Sequence, residues 1–143
     1  MTEKVFIDSN VWVYLFSDGD NSAVWHKAKI VEEFLDDNTV KSVFVTSCQV
    51  VNEVCNVLKR HHLAEEKIRT VIESITSICL IQDMSKEVCL LASTLRERYS
   101  LSFWDSIIVA TAATAGCNFL ISEDMHDGLE VGKLRIKNIF STS

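Results

Sequence analysis

Short, almost wholly apolar runs alternate with stretches of helical periodicity along this chain, and that alternation limits what it can fold into. VFI (5–7), SVFVT (42–46), ICLI (78–81) and NFLIS (118–122) are the runs, and LRIKNI (134–139) is a last, more mixed one. Between them, NVWVYLF (10–16) continues as a first helix or turn, and SDGDNS (17–22) reads as a loop. Residues 23–37 space their apolar side chains at helical intervals. Thr46 and Gln49 stand at capping-box spacing and open a helix expected to run to about His61. Further helices are predicted over 64–75, 86–99 and 103–115, with Gly116 as a C-terminal cap. Strands buried on both faces read as continuous apolar runs, and parallel strands need helical crossovers. The chain is therefore predicted to be an α/β protein with a mainly parallel sheet covered on both sides. Ligands of such sheets bind beyond the carboxyl ends of the strands, at a topological switch point.

Composition narrows the function. The 143 residues fit a single domain over 1–143, and 48% are apolar. No apolar run reaches the roughly 18 residues of a membrane span, and MTEKVFIDSN does not resemble a signal peptide, so a soluble cytoplasmic protein is expected. Cys48, Cys55, Cys79, Cys89 and Cys117 form no CxxC pair and sit among apolar neighbours, which reads as small core residues in a reducing compartment. There is no proline, and the four glycines are scattered, so no glycine-rich phosphate loop exists. A net charge of −6 argues against a nucleic-acid partner. However, basic residues cluster in KRHH (59–62), RER (96–98) and KLRIK (133–137), and acids gathered around a metal would inflate the deficit.

Four acids fall where a site should lie. Asp8 directly follows the first strand, and Asp124 follows NFLIS by two residues. Taken alone, Asp8 reads equally well as a helix N-cap and Asp124 as a turn residue. Asp105 fits S-x-x-D with Ser102, a capping box, yet helical spacing puts it on the face of Ile108, Val109, Ala112 and Ala113. A carboxylate on that face is costly unless paired. Glu53 lies at the edge of an apolar stripe, a position that also suits a solvated side chain. Lys59 and Arg60 nearby have no partner but solvent or a bound phosphate. Four converging carboxylates repel one another, and a hard divalent cation relieves that repulsion. Mg²⁺ and Mn²⁺ favour oxygen ligands and equip a site for phosphodiester hydrolysis.

With these residues assembled, the chain resembles the PIN-domain ribonucleases, especially the VapC-type toxins of bacterial toxin–antitoxin pairs. VFIDSNVWVYLF resembles the family's first strand and D-[ST]-N motif. TSCQVVNEVCNVL resembles the helix with the second acid, and YSLSFWDSIIVATAATAGCNFLISEDM the third and fourth acids. DGLEVGKLRIKNIF is similar to the C-terminal strand of one bacterial subgroup. The resemblance implies a three-layer α/β/α sandwich and a metal-dependent endoribonuclease. Asp8, Glu53, Asp105 and Asp124 match the catalytic, metal-binding quartet, and Asn10 and Ser122 the polar residues behind it. Glu123 or Asp127 could stand in for Asp124, and Gly128 falls where many relatives have an aromatic residue. The implied cofactor is Mg²⁺ or Mn²⁺. The implied partners are RNA (tRNA or another structured RNA), an antitoxin and a second copy of the chain. Trp12, Tyr14, Phe16 and Trp25 are candidates for those protein surfaces, and Lys59, Arg60, Arg96 and Arg98 for positioning the RNA backbone. Two rivals remain: a non-catalytic module on the same fold, and a phosphatase of the haloacid dehalogenase type. The latter uses D-x-D at the first strand end, where this chain has Asn10 in place of the second acid. A receiver domain would need an adjacent acidic pair before its phosphorylated Asp, and none precedes Asp8 at the first strand end.

Overall fold

The computed structural model describes residues 2–17 and 21–141. Within them lie β1 (Glu3–Ile7), α1 (Ser9–Phe16), α2 (Ser22–Asn38), β2 (Ser42–Ser47), α3 (Cys48–Arg60), α4 (Glu65–Ile78), β3 (Cys79–Gln82), α5 (Lys86–Arg98), α6 (Phe103–Thr114), β4 (Phe119–Ile121), β5 (Glu130–Val131) and β6 (Leu134–Lys137). Asp18, Gly19 and Asp20 of the expected loop lie outside the described residues. The sheet order is β3-β2-β1-β4-β6-β5, and only β5 runs antiparallel to its neighbour. Right-handed crossovers place α1 to α4 on one face as the chain steps outward from β1 to β3. They place α5 and α6 on the other face as it returns to β4. The packing agrees: α1 meets α2 and α3, α3 meets α4, and α6 meets α5, β2 and β4. The result is a three-layer α/β/α sandwich.

The centre of the sheet is its driest part. Phe6, Ile7, Leu120 and Ile121 are buried, and Trp12 and Val11 of α1 are fully enclosed. Burying each such side chain contributes about 1.5–3 kcal/mol. Helix α6 is buried along an unbroken run from Ser106 to Ala112, as expected of a helix that is apolar all round. Gly116 takes φ +77° just past its end, and Cys117 N–H returns to Ala112 O at 3.0 Å. That backbone is the left-handed stop that glycine favours.

Several expectations need correction. Ser47, not Thr46, caps α3: its hydroxyl accepts from Val50 N–H at 3.2 Å. Thr46 is buried and donates to Ile7 O at 3.1 Å, tying the ends of β1 and β2 together. Only Cys79 and Cys117 are buried; Cys48 and Cys89 are exposed. Trp12 belongs to the core rather than to a surface, whereas Trp25 is exposed. The two-residue strand β5 was invisible to an apolar-run reading because it is a mixed edge strand. Gly132, at φ +58°, opens the tight turn into β6.

Candidate active site

Register fixes the site. Ile7 pairs with Ile121 across β1 and β4, so Asp8 and Ser122 emerge side by side. The outgoing connections of these two strands run in opposite directions, which makes their carboxyl ends the switch point. Asp8 is only 4% exposed. Its Oδ1 accepts from Ser9 N–H at 2.7 Å, so it does cap α1, and its Oδ2 accepts from the Ser122 hydroxyl at 2.8 Å.

Those two hydrogen bonds do not offset the burial. Desolvation first, and then the negative charges of Glu53 and Asp105, push the Asp8 carboxyl up from 3.8 to about 6. The repulsion places Glu53 and Asp105 in the same electrostatic neighbourhood. Among the described residues Asp8 makes no salt bridge. Glu53 rises from the second turn of α3 and accepts from Gln49 Nε2 at 3.0 Å, an i,i+4 pair on one helix face. Asp105 sits half-buried in the first turn of α6. Its backbone N–H, not its carboxylate, makes the cap contact, with Ser102 Oγ at 3.1 Å.

Asp124 is exposed and joins through a relay. Asn10 Nδ2 donates to Asp124 Oδ2 at 3.1 Å and reaches Ser122 Oγ at 3.4 Å, while Asn10 Oδ1 accepts from Glu123 N–H at 3.2 Å. One amide in the first turn of α1 thus links that helix to the residues after β4. The two substitutes for Asp124 are occupied elsewhere. Glu123 is bound by Lys27 Nζ at 2.6 Å and by the Tyr14 hydroxyl. Burial alone would raise Glu123, but these two donors outweigh it and hold the carboxyl below its usual range. Asp127 accepts from Asn138 N–H at 3.0 Å.

The basic candidates divide. Lys59 pairs with Glu65 at 3.0 Å, which overturns the expectation that solvent or phosphate was its only partner. Arg96 donates to Ser106 Oγ at 2.8 Å and lies over the Phe103 ring, bracing α5 against α6. Arg60 and Arg98 remain exposed.

Among the described residues no three His, Cys, Asp or Glu side chains are drawn tightly enough to hold a metal as they stand. The donor set still fits a hard divalent cation. It offers carboxylate oxygens, one of them buried without a counter-ion, and Mg²⁺ typically uses only one or two carboxylates and keeps several waters. Sequence reasoning missed Lys27, and it read Gln49 only as a capping-box partner and Tyr14 only as a candidate for a protein surface. Only the i,i+4 spacing of Gln49 and Glu53 was available as a signal.

A family model described as PIN domain matches residues 5–126. No curated protein sequence gives a significant match. Among solved structures, DNA-bound VapBC from Salmonella typhimurium is 15% identical, with a TM-score of 0.69, over 97% of this chain and 99% of that one. A toxin–antitoxin complex from Klebsiella pneumoniae is 22% identical, with a TM-score of 0.66, over 91% and 94%. VapC20 of Mycobacterium tuberculosis, described as a sarcin–ricin loop cleaving toxin, is 17% identical, with a TM-score of 0.64, over 81% and 86%. At such identities the likeness is one of fold.

Proposed function

The chain belongs to the PIN domain family, and from that premise we propose that it is a divalent-metal-dependent endoribonuclease, the toxin of a toxin–antitoxin pair. The observation behind this reading is the buried, counter-ion-free Asp8 at the switch point, pressed by Glu53 and Asp105. For capping α1 alone, an uncharged Asn or Ser would serve the same backbone N–H without the cost of burying a charge.

In this reading Asp8, Glu53, Asp105 and Asp124 hold Mg²⁺ or Mn²⁺. The bound cation supplies positive charge that polarises the scissile phosphate and activates a water. The chain's own residues do the rest. Ser122 and Ser9 fix the Asp8 carboxylate, Asn10 holds the Asp124 carboxylate, and Gln49 orients Glu53. Asp105 is set on a helix that is rigid because it is buried. Arg60 and Arg98, both exposed, steer the RNA backbone. The substrate is a structured RNA, tRNA being one candidate. An antitoxin covers the site between episodes, and the chain works in the cytoplasm as a single PIN-like domain that pairs with a second copy.

A non-catalytic module on the same fold is the second reading, favoured by the open spacing of the acids. One experiment separates the two. Pure protein is incubated with labelled tRNA and another structured RNA in Mg²⁺, in Mn²⁺ and in EDTA, beside Asp105→Asn. The nuclease reading expects discrete fragments that need both metal and Asp105, with the variant still folded, because its cap contact is made by the backbone. Folded, antitoxin-free protein that leaves these RNAs intact under every condition would favour the module.

A further inference from the structure

Beside the acidic cluster, α3 turns an all-polar face outward. Gln49, Asn52, Glu53 and Asn56 recur at helical spacing. With Trp104 from the first turn of α6 they line a groove of about 420 Å³, within the range of about 300–1,000 Å³ usual for small-ligand clefts. Trp104 is 61% exposed. Its ring meets Phe103 edge-on, with centroids 5.1 Å apart at 82°. The Arg96 guanidinium covers Phe103 at 4.5 Å from the ring centroid. The indole is therefore braced, although the buried run of α6 from Ser106 onward does not need it.

The chemistry of the groove selects its occupant. No Lys or Arg lines it, and it includes one acid, so it does not suit a phosphate. It offers carboxamides, each both donor and acceptor, beside an open aromatic face. Gln49 is engaged with Glu53, while Asn52 and Asn56 are exposed. Unpaired bases are recognised by stacking on aromatic rings and by hydrogen bonds to their edges. Glu53 belongs both to this groove and to the acidic cluster, which puts a bound base within a nucleotide's reach of the acids.

Resting on the nuclease reading above, we propose that the groove of Trp104, Asn52 and Asn56 is a subsite for one unpaired nucleobase beside the scissile phosphate. The enzyme then cuts where RNA is single-stranded or looped, and these residues set its base preference.

The test follows tryptophan fluorescence in EDTA, in a Trp25→Phe background. Trp12 is buried there, so Trp104 is the exposed reporter. The probes are a six-nucleotide single-stranded RNA, the same strand made abasic, and its duplex. The proposal expects saturable quenching by the single strand only. Read by the anisotropy of a 5′-fluorescein-labelled strand, because these variants lack the Trp104 reporter, Trp104→Ala should weaken single-strand binding by about 5- to 150-fold, the equivalent of one stacked base, and Trp104→Phe should recover most of it. Asn52→Ala should alter the ranking of rA, rC, rG and rU hexamers. Unchanged affinity in Trp104→Ala, or equal quenching by the abasic strand, overturns the proposal. So does a Trp104→Ala variant that only shifts the sedimenting species from dimer to monomer, since the patch would then serve a second copy. Metal-dependent cleavage without base-dependent quenching removes the subsite alone. Quenching without cleavage removes the nuclease reading and leaves a nucleobase site.

Discussion

Asp8 concentrates the tension of this molecule in one side chain. It is almost completely buried, accepts two hydrogen bonds, and is still pushed up from 3.8 to about 6 by desolvation and by Glu53 and Asp105. Between about pH 4 and pH 6 the folded, metal-free chain keeps that proton while the unfolded chain releases it. The folded state binds more protons there, so this group's contribution to stability falls as pH rises through the window. Above it the full cost is in place, about 3 kcal/mol. Asp8→Asn should therefore stabilise the metal-free protein at pH 7 by up to about 3 kcal/mol and flatten its stability between pH 4 and 6, as read by urea denaturation in EDTA. Equal or lower stability of the variant would mean that Asp8 is satisfied as a structural cap. Residue-scale reading of the sequence went far at this site: the position of Asp8 after a strand, and the D-S-N stretch itself, were visible in the chain. The Tyr14–Glu123–Lys27 cluster was not, because it joins α1, α2 and the segment after β4 across 96 and 109 residues.

Helix α6 shows how an element fixes a side chain. Ser102 caps its first turn through Asp105 N–H, and Gly116 stops its last turn at φ +77°. The two ends should respond differently to mutation. Ser102→Ala loses an N-cap, a cost of about 0.5–2 kcal/mol, and loosens the turn that holds Asp105, so RNA cleavage should fall by more than the stability loss explains. Gly116→Ala forces an alanine into left-handed backbone, a cost of about 1–2 kcal/mol. A Cβ there meets nothing nearer than Lys133 Nζ at 3.9 Å, so cleavage by the folded fraction should be unchanged. Melting curves and initial rates on the same preparations check both outcomes. At this scale the sequence was informative where periodicity was long and weak where pattern was short. The extent of α2 followed from apolar spacing to within one residue at each end, and those of α5 and α6 were read to within one residue. The cap of α3 was misplaced by one residue because Thr46 and Ser47 are adjacent hydroxyls, and only the strand register makes the first a β2 residue. Strand β5 is held by its turn and by pairing with β6, not by any apolar run of its own.

For the whole molecule, a net charge of −6 has to be reconciled with an RNA substrate. The arrangement reconciles them by relying on few phosphate contacts. Lys59 and Lys27 are spent on Glu65 and Glu123, and Arg96 braces α5 against α6. With Arg60 and Arg98 as the backbone contacts, RNA affinity measured in EDTA should fall with salt at a log–log slope of about −2 or shallower. A slope steeper than about −4 would require a basic surface that these residues do not provide. The alternation of strands and helices was legible because a parallel sheet forces it on the chain, whereas the strand order β3-β2-β1-β4-β6-β5 is set by packing that no local pattern records. The four acids were legible only as a list of positions, since the distances between them depend on the register of β1 with β4 and on the placement of α6. The central claim is that these acids converge on a cation. Calorimetric titration of Mn²⁺ into the metal-free protein tests it directly, with Asp8→Asn and Asp105→Asn alongside at pH 5 and pH 7.5. The account predicts saturable binding that strengthens at the higher pH, where Asp8 is ionised, and that is lost or strongly weakened in both variants. Absence of saturable binding, or binding unchanged in both variants, would contradict it.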